Sequence, residues 1–168
     1  MDVVTLGNDL LRQKAAPVRP INAEIAKIAA EMLEIMDLRK GVGLAGPQVG
    51  LNKRIFVVQV DGDAPRVFIN PSIVGTSQEM VKMEEGCLSV PGVWVDVVRP
   101  ASVRVQAWNE KGRPFTIETG GVLARVILHE YDHLEGVLFI DRILKSKRDK
   151  ILAKFEKQQA VKESAARG

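Results

Sequence analysis

The sequence predicts an α+β fold: antiparallel and mixed β-sheets packed around one central helix, with an N-terminal helix and a C-terminal helix. Three observations predict it. Strand-like runs fill the middle of the chain, and in one of them Val103, Val105 and Ala107 alternate with Arg104 and Gln106. Apolar residues recur with helical spacing near residue 30 and again near residue 126. A basic segment with a few apolar residues on one helical face closes the chain. At 168 residues, 46% hydrophobic and 27% charged, residues 1–168 are expected to form one globular domain with a sizeable core.

The elements follow in order. Asn22 is placed to cap a helix over Ala23–Arg39 that buries Ile25, Ile28, Met32, Ile35 and Met36. Residues 41–50 hold four glycines and a proline, which predicts a loop or irregular strand. It is not a phosphate loop, because the Gly-Lys-Ser/Thr ending is missing. Strands are expected over Ile55–Val60, Arg66–Ile69 and Val97–Ala107, with a hairpin turn at Asn109-Glu110-Lys111-Gly112. The central helix should start at Thr119 as cap and stop at Gly136, burying Val122, Leu123, Val126 and Ile127. Residues 142–168 form the basic C-terminal helix.

Composition excludes several classes. One cysteine rules out an internal disulfide framework and suits a reducing compartment. No segment is apolar enough to span a membrane, and no secretory signal is evident, so a cytoplasmic location is expected.

Both histidines lie in His129-Glu130-Tyr131-Asp132-His133. On a helix, residues four apart share a face, so the two rings can converge on one divalent cation with a carboxylate beside it. This H-E-x-x-H pattern marks metal-assisted hydrolysis. A catalytic metal wants a third protein ligand. Gly136 fits the extended H-E-x-x-H-x-x-G-x-x-H pattern, but Phe139 stands where its third histidine belongs. The third ligand is therefore Cys, Asp or Glu. Cys87, in Glu85-Gly86-Cys87-Leu88-Ser89, is one candidate, with Pro91-Gly92 expected to turn the chain after it. A downstream carboxylate such as Asp141, as in a metallopeptidase, is another.

Three separated motifs together resemble the peptide deformylase family: Gly41-Val42-Gly43-Leu44-Ala45-Gly46-Pro47-Gln48, Glu85-Gly86-Cys87-Leu88-Ser89 and His129-Glu130-Tyr131-Asp132-His133. The resemblance covers nearly the whole chain. It departs at Gly46, where the family usually has alanine, and at Leu128, where it often has glutamine. Gly46 is expected to loosen the strand beside the site, and Leu128 to remove a polar side chain near the central helix.

The resemblance implies a metal-dependent hydrolase that removes the N-formyl group from newly made polypeptides and releases formate. It implies Cys87, His129 and His133 as ligands of one divalent ion, natively Fe(II), with zinc, nickel or cobalt able to replace it. Glu130 is then general base and general acid. The Gln48 side chain and the Leu88 backbone N–H stabilise the oxyanion. Val42, Val122, Val126 and the stem of Arg125 are expected to line a slot for the methionine side chain, and the backbones of Gly43 and Gly86 to bind the peptide as an added strand.

The tail carries a separate signal. From Arg142 to Gly168 there are nine basic and three acidic residues, a net +6 against +3 for the whole chain, so the remainder carries −3. Ile151, Leu152 and Phe155 suit docking of one face on the body, and the lysines suit electrostatic contact with ribosomal RNA. No sequence-specific nucleic-acid contact is expected. A non-enzymatic ribosome-binding module is the alternative built on this tail alone.

Overall fold

The computed structural model describes residues 1–167. Its core element is a five-stranded antiparallel sheet in the order β1-β2-β3-β6-β7. The strands are β1 (Gly43–Ala45), β2 (Ile55–Val58), β3 (Arg66–Thr76), β6 (Ser102–Trp108) and β7 (Pro114–Gly120). A separate two-stranded ribbon pairs β4 (Met80–Cys87) with β5 (Val90–Pro100). Three helices accompany them: α1 (Ala23–Leu38), α2 (Gly121–Leu134) and α3 (Lys145–Arg167). The α+β class predicted from the sequence is the class observed, with antiparallel sheet pairing throughout.

Helix α1 begins where the sequence places it. The Asn22 side chain accepts the Ile25 amide at 3.2 Å, satisfying a donor that the first turn leaves open. Its face of Ile25, Ala29, Met32 and Met36 packs on Val57, Val67 and Ile69 of the sheet. Helix α2 lies on the other face. Its Ala124, Val126, Ile127, Leu128 and Leu134 share a core with Phe56, Phe68, Val103 and Val105. The metal-motif helix is thus buried on nearly every side.

Several boundaries differ from expectation. Thr119 belongs to β7, and Gly120 takes the cap position of α2 without a side-chain cap bond. Val122, expected to be buried, is 53% exposed at the first turn of α2. Strand β3 runs past Pro71, because a register shift between Ile69 and Ser72 leaves the proline outside the regular ladder. The run expected as one strand over Val97–Ala107 is the end of β5 and all but the last residue of β6, parted at Ala101. The turn after Cys87 is made by Leu88 and Ser89, opposite the Cys87–Val90 pair, so Pro91 and Gly92 already belong to β5.

Helix α3 docks by one face. Phe155 is buried against Leu11, Val90, Val95 and Phe139, with Ile151 and Leu152 beside it. The rest of the helix is largely exposed and polar.

Candidate metal centre

Three pieces of chain meet at α2. The ribbon brings Cys87 to the end of β4. The edge strand β1 brings Gly43, and the 3-10 turn Gly46–Val49 brings Gln48. Helix α2 supplies His129, Glu130 and His133. Donor atoms of Cys87, His129 and His133 all lie within 4.8 Å of one another. Asp141 is not among them. Its carboxylate bonds the Leu138 amide at 2.9 Å and pairs with Arg12, which removes it as a candidate ligand. Phe139 sets its ring 5.7 Å from that of His129, so the position of a third histidine is filled by packing.

The donors suit a divalent transition metal. One sulfur and two imidazoles leave room for a further ligand, and His133 Nε2 stands 3.4 Å from Cys87 Sγ. Two buried polar atoms here, Glu130 Oε2 and His133 Nδ1, find no hydrogen-bond partner among the described residues. Burial holds His133 well below its ordinary pKa, and the charges of His129 and Arg99 push the same way, so the ring is neutral as a ligand must be. Burial also lowers His129, but contacts with Cys87, Glu85 and Glu130 outweigh it and bring that ring up to about 10. The acidic groups around His129 thus favour positive charge at this spot, and a bound cation answers the same field.

A buried ion network holds the ligands, and the sequence reading passed over its centre. Glu85 accepts from His129 Nδ1 at 2.8 Å, which leaves Nε2 for a cation. Arg99 bonds the same carboxylate at 2.6 and 3.0 Å, and Arg125 adds a bond at 2.8 Å. Burial opposes ionisation of Glu85, yet the His129 and Arg99 hydrogen bonds hold its carboxyl well below the usual range. Arg99 also reaches Asp132 at 2.8 Å, and Asp132 takes two bonds from Arg142. The network therefore runs from the base of α3 to the metal helix. Glu85 and Asp132 both lie inside the quoted motifs. The sign that could have found them is acidic side chains next to ligands on buried elements.

Gln48 is fixed at both ends. Its Oε1 accepts the Ala45 amide at 2.9 Å, and its Nε2 faces Cys87 Sγ at 3.4 Å and Ser89 Oγ at 3.2 Å. Leu88 sits in the turn between β4 and β5 and lines the same cavity of about 340 Å³. Val42, Gly43, Gly86, Val122, Arg125 and Val126 line it as well. Arg125 contributes its stem only, since its guanidinium is engaged by Glu85 and by the Val97 and Val81 carbonyls. Gly43 must lack a side chain: a Cβ there would lie 2.8 Å from Val126 and 2.9 Å from Glu130. This close approach sets the open edge of β1 beside Glu130.

Burial pushes the Glu130 carboxyl up to about 7 against the opposing pull of the His129 ring. A carboxylate so placed can take and return a proton near neutral pH. The expected loosening by Gly46 is not what the fold shows. Gly46 opens a buried 3-10 turn, and a Cβ there would stand 2.7 Å from the Lys53 carbonyl oxygen. Leu128 is buried in the core beneath α2.

A central helix bearing H-E-x-x-H, joined by a cysteine from a ribbon, defines a metallohydrolase of the amide-cleaving kind. The polypeptide deformylase family model matches residues 1–149. A peptide deformylase of Borreliella burgdorferi is 47% identical over 163 residues, covering 96% of this chain and 99% of the relative. One from Clostridium botulinum is 52% identical over 139 residues, covering 83% and 93%. The crystal structure of a peptide deformylase from Synechococcus elongatus in complex with actinonin superposes with a TM-score of 0.87 at 42% identity, over 92% of this chain and 86% of that one. That from Ehrlichia chaffeensis gives 0.90 at 36% identity, over 96% and 98%. The chain belongs to the polypeptide deformylase family, metal enzymes that remove the N-formyl group from newly made polypeptides.

Proposed function

We propose that this chain removes the formyl group from N-formylmethionyl peptides with Cys87, His129 and His133 holding one Fe(II) ion, which zinc, nickel or cobalt can replace. The convergence of these three donors beside the unpartnered Glu130 oxygen carries the reading. When bound, the ion supplies Lewis acidity to water and to the formyl carbonyl.

Glu130 takes a proton from the attacking water as the oxygen–carbon bond forms. It returns the proton to the amine nitrogen as the carbon–nitrogen bond breaks, giving formate and a free amino terminus. Gln48 Nε2 and the Leu88 backbone N–H donate to the oxyanion. The Ala45 contact supports this role, because it fixes which end of the Gln48 amide faces the cavity. The methionine side chain enters the slot between Val42, Val122, Val126 and the Arg125 stem. The peptide backbone pairs with the free edge of β1 at Gly43 and with Gly86 of β4.

The enzyme is read as acting on nascent chains in the cytoplasm, with the exposed basic face of α3 as its contact with the ribosome. No helix among the described residues is long and apolar enough to cross a membrane. The deciding experiment is formate release from formyl-Met peptides with Fe(II) protected from oxygen. No release by any metal form of the folded protein rejects the reading.

A further inference from the structure

We propose that a second cleft, across Trp94 from the metal cavity, binds acidic side chains carried by the substrate peptide beyond its second residue. The proposal rests on the deformylase reading above and adds a preference to it.

Trp94 of β5 joins the two spaces. Its indole rests on the Gly86 backbone, where a Cβ would lie only 2.4 Å from the ring. That seat is next to Cys87, so a peptide bound beside Gly86 meets the indole next. Trp94 is 67% exposed, so part of its ring is open to a ligand. It lines both the metal cavity and a cleft of about 270 Å³.

The second cleft has an apolar wall and a cationic rim. Ile151 and Phe155 of α3 face Val93 and Val95 of β5, and Lys147 and Lys154 stand at the opening. The lysines are seven residues apart, two turns along one helix face. Neither has a carboxylate within ion-pairing distance among the described residues. The nearby Asp149 is engaged by Lys145 and Arg148 instead. Two uncompensated ammonium groups above an apolar floor, continuous with the catalytic cavity through one aromatic platform, suit a chain with an acidic side chain. The same rim disfavours a basic one.

The test uses formyl-Met-Ala extended by alanines, with a single Asp or Lys moved through the third, fourth and fifth positions. Formyl-Met-Ala, which ends before Trp94, is the reference in the same formate assay. At one or more positions Asp should exceed Lys in kcat/KM by about three- to tenfold, the range of two exposed ion pairs. The difference should reside in KM rather than kcat, and should shrink at high salt. The Lys147→Glu, Lys154→Glu double variant should reverse it. Equal kcat/KM for Asp and Lys at all three positions overturns the proposal, as does a preference that survives the double substitution. No formate from formyl-Met-Ala itself would instead count against the deformylase reading.

Discussion

Glu85 accepts from His129 Nδ1 at 2.8 Å while Arg99 and Arg125 hold the same carboxylate, so one buried side chain orients a candidate metal ligand and bridges two guanidinium groups. Replacing Glu85 with Gln keeps the shape and removes the charge. Metal affinity should fall about 10- to 100-fold, the usual cost of losing such a partner. Competition with a chromophoric chelator measures it. Unaltered affinity would reduce Glu85 to a purely structural residue.

Glu130 is buried yet has an oxygen without a partner, so it contributes little that folding needs. Glu130→Gln should lower kcat by about 10²- to 10⁴-fold, as expected for a lost general base and acid. Metal content by mass spectrometry should stay at the wild-type level. Full activity in this variant would assign the proton transfers elsewhere.

Asp132 sits between Arg99 and Arg142 and is nearly inaccessible to solvent. Asp132→Asn leaves Arg99 partly uncompensated in the interior. The expected loss is about 3 kcal/mol of stability, read from urea unfolding. The metal affinity of the folded fraction should fall far less than it does for Glu85→Gln, because Asp132 reaches His129 only through Arg99 and Glu85.

Two of the close-approach glycines, Gly43 and Gly46, give opposite readouts. Gly43→Ala presses a methyl on Glu130 and Val126, so kcat/KM should drop although the backbone there needs no glycine conformation. Gly46→Ala adds a Cβ that meets the Lys53 carbonyl oxygen and the Ile55 side chain. Overpacking of this kind costs about 1–3 kcal/mol. Thermal unfolding of both variants beside their kcat/KM values separates an effect on chemistry from one on packing.

Much of the site was legible because its residue types are chemically distinctive. Two histidines four apart and a lone cysteine in a glycine-rich setting are readable without coordinates. The cap at Asn22 and the alternation of β6 were legible for the same local reasons. What escaped depends on pairing distant in sequence. Strand β4 exposes Met80, Lys82 and Glu84 and only half-buries Val81 and Met83, so its pattern is weak until β5 is laid against it. Strand β7 buries no residue fully, and the sequence pattern predicts no strand there. Glu85 looked like any motif carboxylate. Its role exists only where β4, β5 and α2 converge.

Helix α3 combines a docked start with a free end, and truncation should resolve the two. Phe155 fills the space between Leu11, Val90, Val95 and Phe139, and Ile151 and Leu152 cover its flanks. Ending the chain after Leu144 removes all three and bares the apolar groove they occupy. The expected loss is at least that of a buried Phe→Ala change, about 3–5 kcal/mol. Ending it after Lys157 keeps the docked turns and removes residues that are mostly exposed and polar, so stability should stay within about 0.5 kcal/mol. Ribosome co-sedimentation then reads the tail without the confounding effect of unfolding. If the basic face of α3 makes that contact, replacing the exposed Lys150, Lys157 and Lys162 by Glu in the full-length chain should weaken binding at low salt while formate is released from short peptides at the wild-type rate. Binding equal to that of the full chain by the truncated protein would exclude Lys162 and Arg167 from the contact, and equal binding by the Glu variant would place it on another surface.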